Sequence, residues 1–128
     1  MANATEIASR LFAAIEAGDI ETIRDCYSPG AQIWHNTDGV VKSLDHTTTI
    51  VEWMLTNMPG MRYPDPQCST TEDGFVQRHV VVGTRPDGVE VSLPCCVVAK
   101  VANGQVTHLY EYFDSVAAAQ IGAPMSAG

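Results

Sequence analysis

Positive charge is scarce in this chain. Seven lysines and arginines stand against fifteen aspartates and glutamates, for a formal net charge of −8 at pH 7. The seven are scattered, so no basic stripe is available to neutralise phosphates, and nucleic acid is not expected as a partner. Long apolar runs are missing too. None approaches the roughly 18 residues that a membrane span requires, and "MANATEIASRLFAAIEAGD" has neither the basic start nor the continuous apolar middle of a secretory leader. A cytoplasmic protein without membrane contact is expected. Cysteine is present only as Cys26, Cys68, Cys95 and Cys96, without C-x-x-C spacing or a histidine-rich partner segment, which argues against a zinc site or a thioredoxin-type motif. Cys95 and Cys96 point to opposite faces of any strand that carries them, and the four read as buried, reduced thiols. No metal and no cofactor are expected.

What is present is the composition of an ordinary globular domain, with 45% hydrophobic and 17% charged residues in 128. That length suits a single domain, 1–128, ordered over about 4–122, with "GAPMSAG" as a loose tail. Ile7, Leu11, Ala14 and Ile15 recur at helical spacing up to Gly18, which predicts a helix over 4–17. Asp19 caps a second helix, "IETIRDCY", and "AQIWHN" follows as a short strand with Ile33 and His35 on one face. A third helix over about 46–58 takes Asp45 or Ser43 as its cap. The pattern then changes to strands: a proline-interrupted edge candidate in "RYPDPQCSTT", then "GFVQRHVVVGT", "VEVSLPCCVVAKV", the hairpin signal "NG", and "QVTHLYEYF". Asp114 caps a last short helix through "SVAAAQ". Helices first and a hairpin-linked sheet afterwards give an α+β fold, with helices covering one face of a curved antiparallel sheet.

One residue breaks the apolar pattern of the last strand. In "HLYEYFD", Glu111 alternates in phase with Leu109 and Phe113, while His108, Tyr110, Tyr112 and Asp114 fall on the other face. An acid on an otherwise apolar face suits the wall of a pocket, where exclusion of water favours proton transfer. A carboxylate turned to solvent, or neutralised by a structural arginine, has the same spacing. Alternation turns His79 and His108 away from that pocket, and His46 lies at a helix start. Trp53, Met54, Met58, Met61 and Tyr63 are candidates for the wall near its mouth.

The stretches "EAGDIETIRDCYSPGAQIWHN" and "NGQVTHLYEYFD" resemble the helix-to-strand segment and the final hairpin of the SnoaL-like and ketosteroid isomerase-like branches of the nuclear transport factor 2-like superfamily, which includes limonene epoxide hydrolase. The resemblance covers nearly the whole chain. It implies a cone-shaped barrel, a strongly curved antiparallel or mixed sheet wrapped around three N-terminal helices. In register with that family, His35 takes the place of the isomerases' general-base aspartate and of the hydrolase's water-positioning asparagine. Arg78 and Glu111 take the places of the hydrolase's catalytic arginine and water-activating aspartate. The resemblance therefore implies His35, Arg78 and Glu111 as catalytic residues. It implies a pocket lined by Leu11, Ile33, Met54 and Val80, continued by Val82, Cys96, Leu109 and Phe113.

Departures from the family pattern bear on the chemistry. Val80 stands where the hydrolase keeps its second aspartate, Ile33 replaces a water-positioning tyrosine, Leu11 replaces the isomerases' oxyanion tyrosine, and Cys96 sits near their protonated aspartate. The expectation is a small cofactor-independent enzyme doing acid–base chemistry on an apolar or cyclic small molecule, by isomerisation, cyclisation or addition of water. A non-catalytic binding or scaffolding module built on the same cone is the alternative, and a subunit whose function lies at a dimer interface is a third. A homodimer through the outer sheet face is expected, because Tyr110, Tyr112 and the β-branched residues there would otherwise expose an apolar patch.

Overall fold

The computed structural model describes residues 3–122. The expected loose tail, apart from Gly122, lies outside the described residues. The first helix, α1, runs Ala4–Ala17 as its periodicity predicts. Asn3 caps it by accepting from the Glu6 N–H, and Gly18 ends it in the left-handed conformation (φ 69°), its N–H reaching the Ala14 and Ile15 carbonyls. Asp19 caps α2 (Ile20–Cys26) through the Thr22 N–H. Strand β1 (Tyr27–His35) begins earlier than "AQIWHN" suggests. It absorbs Ser28-Pro29-Gly30 as an irregular stretch across which the register with the last strand shifts between Tyr27 and Gln32. After the two-residue β2 (Val41–Lys42), α3 runs Leu44–Asn57 with Ser43, not Asp45, as its cap.

The rest of the sheet is β3 (Gln67–Thr70), β4 (Gly74–Thr84), β5 (Glu90–Ala102) and β6 (Gln105–Phe113), followed by α4 (Ser115–Ala119), which Asp114 caps. The strand order is β2-β1-β6-β5-β4-β3, antiparallel throughout except for the parallel β1–β6 pair. The α+β class holds, with a six-stranded mixed sheet that stays open: its edges are the short strands β2 and β3 and are not paired to each other. The core sits between the inner sheet face and α1, where Leu11, Phe75, Val97 and Val106 are fully buried.

The inner face of β4 corrects the expected register. Phe75, Gln77, His79, Val81 and Gly83 are buried, whereas Arg78 is exposed and Val80 and Val82 lie half-buried on the opposite face. Both faces of this strand carry apolar side chains, so alternation alone does not decide between them, and a one-residue slip turns every side chain over. Three physical facts decide it. Gln77 and His79 satisfy each other by a 3.1 Å hydrogen bond, so their burial leaves few polar atoms stranded. An outward Arg78 keeps its guanidinium in water and spares it the cost of desolvation. Gly83 leaves room for α3's end, since a Cβ there would lie 3.2 Å from Met58. The same phase runs through β5, where Cys95 is inward and Cys96 outward.

Candidate functional site

A cavity of about 270 Å³ opens between the inner sheet face, α1 and α3. Its wall is mostly apolar: Phe12 and Ile15 from α1, Val51 and Met54 from α3, and Leu109 and Phe113 from β6. Polar groups gather at two places. Near the mouth lie Thr37, Thr47, His46 and Lys42, the last hydrogen-bonded to Asp38. On the floor, side chains from four adjacent strands form a row.

The register of the sheet builds that row. His35 of β1 pairs with Glu111 of β6. Val97 of β5 pairs with Glu111 from the other side, and Cys95, two residues along β5, is diagonal to it. His79 of β4 pairs with Cys95. Glu111 Oε1 lies 3.0 Å from His35 Nε2, and Glu111 Oε2 lies 3.9 Å from His79 Nε2. His35 and Glu111 are partly accessible, with side-chain exposures of 21% and 20%, whereas the His79 side chain has none.

Burial sets the electrostatics. His79, packed between the rings of Phe12 and Tyr63 at centroid distances of 4.9 and 4.7 Å, has its pKa lowered by desolvation against the opposing pull of Glu111. Its Nδ1 meets the Gln77 amide, and its Nε2 has no hydrogen-bond partner. The Cys95 thiol donates weakly to the Leu93 carbonyl at 3.5 Å. Burial first, and the Glu111 charge second, push its pKa well up, so it stays a thiol. Tyr27 and Tyr63 also face the cavity, and burial, reinforced by Glu111, raises both phenols well above their ordinary range. They remain protonated hydrogen-bond donors.

The residues singled out in the sequence divide. His35 and Glu111 meet, and Ile33, Met54, Leu109 and Phe113 line the cavity around them. Arg78 does not join them. It stands on the outer face, as do Val80, Val82 and Cys96, for the register reason given above. Leu11 is fully buried in the core rather than on the cavity wall, where Phe12 and Ile15 take its place. His79, expected to face away, is on the inner sheet face, buried behind Phe12 and Tyr63 and next to the Glu111 carboxylate. Sequence reasoning passed over Tyr27, His79 and Cys95. The polar i, i+2 pair Gln77 and His79 was the available signal, two residues able to satisfy one another on a single strand face.

As built, the floor can accept, hold and return a proton through the His35–Glu111 pair, and can offer a phenol hydrogen bond to developing negative charge. His79, Cys95 and Glu111 each present one ligand atom within 4.8 Å of the others and are the group able to hold a metal ion among the described residues.

The sequence profile of the SnoaL-like domain matches residues 8–109. No curated protein matches the sequence. Among solved structures, IdmH of Streptomyces antibioticus, a candidate polyketide cyclase, superposes with a TM-score of 0.83 at 20% identity, covering 95% of this chain and 100% of its own. A candidate polyketide cyclase from Pseudomonas putida gives 0.79 at 17% identity, covering 94% and 98%. A protein with a ketosteroid isomerase-like fold from Catenulispora acidiphila, solved with trimethylamine, gives 0.78 at 12% identity over 93% and 94%. At these identities the likeness is one of fold.

Proposed function

This chain belongs to the SnoaL-like domain family, and from that premise we propose that it is a small enzyme that isomerises or cyclises an apolar or cyclic carbonyl compound by proton transfer through its own side chains. The observation that carries this reading is the 3.0 Å contact of His35 with Glu111 inside a mostly apolar cavity. Glu111 is the base. Its carboxylate takes a proton from the carbon next to a carbonyl, and His35 donates its Nε2–H to the same carboxylate and fixes its orientation. The enolate oxygen that forms is met by a phenol of Tyr27 or Tyr63. Return of the proton to a different carbon completes an isomerisation. Attack of the enolate carbon on a second carbonyl, with the proton passing to the new alkoxide, completes a cyclisation.

Addition of water to an epoxide is less well supported. It relies on a cation beside the acid, and Arg78 is exposed on the opposite face of the sheet. A binding module remains the reading from another class, favoured by the apolar wall alone. The experiment is to incubate the protein with cyclic ketones, polyketide-like aromatics and epoxides, following binding by calorimetry and products by mass spectrometry and chiral chromatography. Conversion of a ketone or polyketide-like compound is expected. Tight binding of several compounds with conversion of none overturns the enzyme reading.

The proposed assembly is a homodimer through the outer sheet face. There Trp34 packs against Tyr112 and Tyr110 at centroid distances of 5.3 and 6.2 Å, and Tyr112 remains 45% exposed. Sedimentation of a clean monomer at micromolar concentration would count against it. The proposed location is the cytoplasm, which suits four free cysteines. Among the described residues, no helix is long and apolar enough to cross a membrane.

A further inference from the structure

We propose that His79, Cys95 and Glu111 form a binding site for one thiophilic divalent cation of the Zn²⁺ class, set in the floor of the cavity beside the His35–Glu111 pair. Three adjacent strands supply the three donors through the ladder itself: His79 is directly opposite Cys95, and Cys95 is diagonal to Glu111. One imidazole, one thiol and one carboxylate make a borderline-soft donor set that suits Zn²⁺ better than the oxygen-seeking Mg²⁺ or Ca²⁺. The donor atoms lie within 4.8 Å of one another, and His79 Nε2 is 3.9 Å from Glu111 Oε2. A tetrahedral Zn²⁺ with bonds of about 2.0–2.3 Å separates its ligand atoms by roughly 3.3–3.6 Å. The set therefore has to close by about an ångström, within reach of side-chain rotation.

The independent observation is His79 itself. Its side chain is wholly buried, its Nε2 has no hydrogen-bond partner, and that nitrogen is aimed at Glu111. A buried, unpartnered polar nitrogen costs free energy that coordination would recover. Charge also balances: thiolate and carboxylate together neutralise a dication, so the occupied site carries no net charge into a low-dielectric floor. Binding requires Cys95 to give up its proton and its contact with the Leu93 carbonyl.

Outer hydrogen bonds are already in place. Gln77 meets His79 Nδ1. With Nε2 on the metal, Nδ1 carries the proton, and the Gln77 amide turns its oxygen to accept it. His35 holds the other oxygen of Glu111, so the metal takes Oε2 and leaves the Oε1–His35 contact standing. Cys95 and Glu111 both line the cavity, so the coordination position left by the three protein donors opens toward it. This inference shares Glu111 with the acid–base reading but does not depend on it.

The test titrates chelator-treated full-length protein with Zn²⁺ by calorimetry and with Co²⁺ by absorption. The expected result is one ion per chain at micromolar affinity or better, with the near-ultraviolet charge-transfer band of a cobalt–thiolate bond. Cys95→Ser, close to isosteric, should abolish the band and weaken Zn²⁺ at least about tenfold, the floor set by what losing an outer hydrogen-bond partner costs a metal site. His79→Gln should weaken Zn²⁺ to a similar extent, with the thiolate band reached only at higher Co²⁺, and circular dichroism of each variant reports whether it folds. Cys68→Ser and Cys96→Ser should keep both the band and the stoichiometry. Absence of one-to-one binding by the wild type overturns the proposal. So does a Zn²⁺ affinity unchanged by Cys95→Ser, a cobalt–thiolate band that persists in that variant, or a band that vanishes with Cys96→Ser or Cys68→Ser. None of these outcomes touches the acid–base reading, whose own test is turnover of a carbonyl compound by metal-free protein.

Discussion

Two histidines flank Glu111, and the environment separates their roles. His35, on β1, is partly accessible, lines the cavity and touches Oε1 at 3.0 Å. His79, on β4, is sealed between Phe12 and Tyr63, is held neutral by desolvation, and reaches only to 3.9 Å of Oε2. An imidazole that water and a substrate can reach is able to exchange protons with it, whereas one closed off from both cannot join that exchange. The comparison teaches that proximity to the acid does not make a second catalytic group. Access does.

The largest effect should come from the residue both histidines share. Glu111→Gln keeps shape and removes the proton acceptor, so turnover should fall by ~10²–10⁴ with ligand affinity little changed. Parallel calorimetry and product assays check this, and loss of affinity in step with turnover would place Glu111 in binding rather than proton transfer.

His79→Ala should act on the fold instead. It empties a ring-sized space between Phe12 and Tyr63 and strands Gln77, for a loss of about 2–4 kcal/mol read from urea midpoints at constant slope. A midpoint unchanged from wild type would mean that the His79 packing contributes little. His35→Asn should leave stability near wild type and lower turnover by about ten- to a hundredfold, the worth of one hydrogen bond to a charged group. If both histidine variants shift stability alone, the contrast between the two sides of Glu111 is lost. Arg78→Met is the smallest change expected, within about 0.5 kcal/mol and with turnover unaltered, because the side chain is exposed and away from the floor. A large drop in turnover there would return Arg78 to the site.

Much of this architecture was legible from residues alone. Gly18 and the caps at Asp19 and Asp114 act locally, through backbone hydrogen bonds that depend on only a few neighbours, whereas at α3 the residues leave Asp45 and Ser43 open and the cap is Ser43. Glu111 was legible for a different reason: Leu109 and Phe113 flank it in phase, and His35 falls opposite it once β1 and β6 pair. β4 was not legible, because its two faces are nearly equally apolar and its inward phase depends on long-range facts. These are the Gln77–His79 contact and the fit of Gly83 against Met58. The ungapped family register that puts Arg78 inward carries Val80 and Val82 with it. Cys96 in place of Cys95 is the same one-residue slip on the neighbouring strand.

The central claim is that Glu111 moves a carbon-bound proton inside the cavity. ¹H NMR in D₂O of a cyclic ketone that calorimetry has shown to bind tests it without knowledge of the natural substrate. The account predicts that wild-type protein accelerates loss of an α-proton signal at one face of the ketone, and that Glu111→Gln, binding equally well, returns the rate to background. A bound ketone that exchanges at the uncatalysed rate with wild-type protein would contradict it.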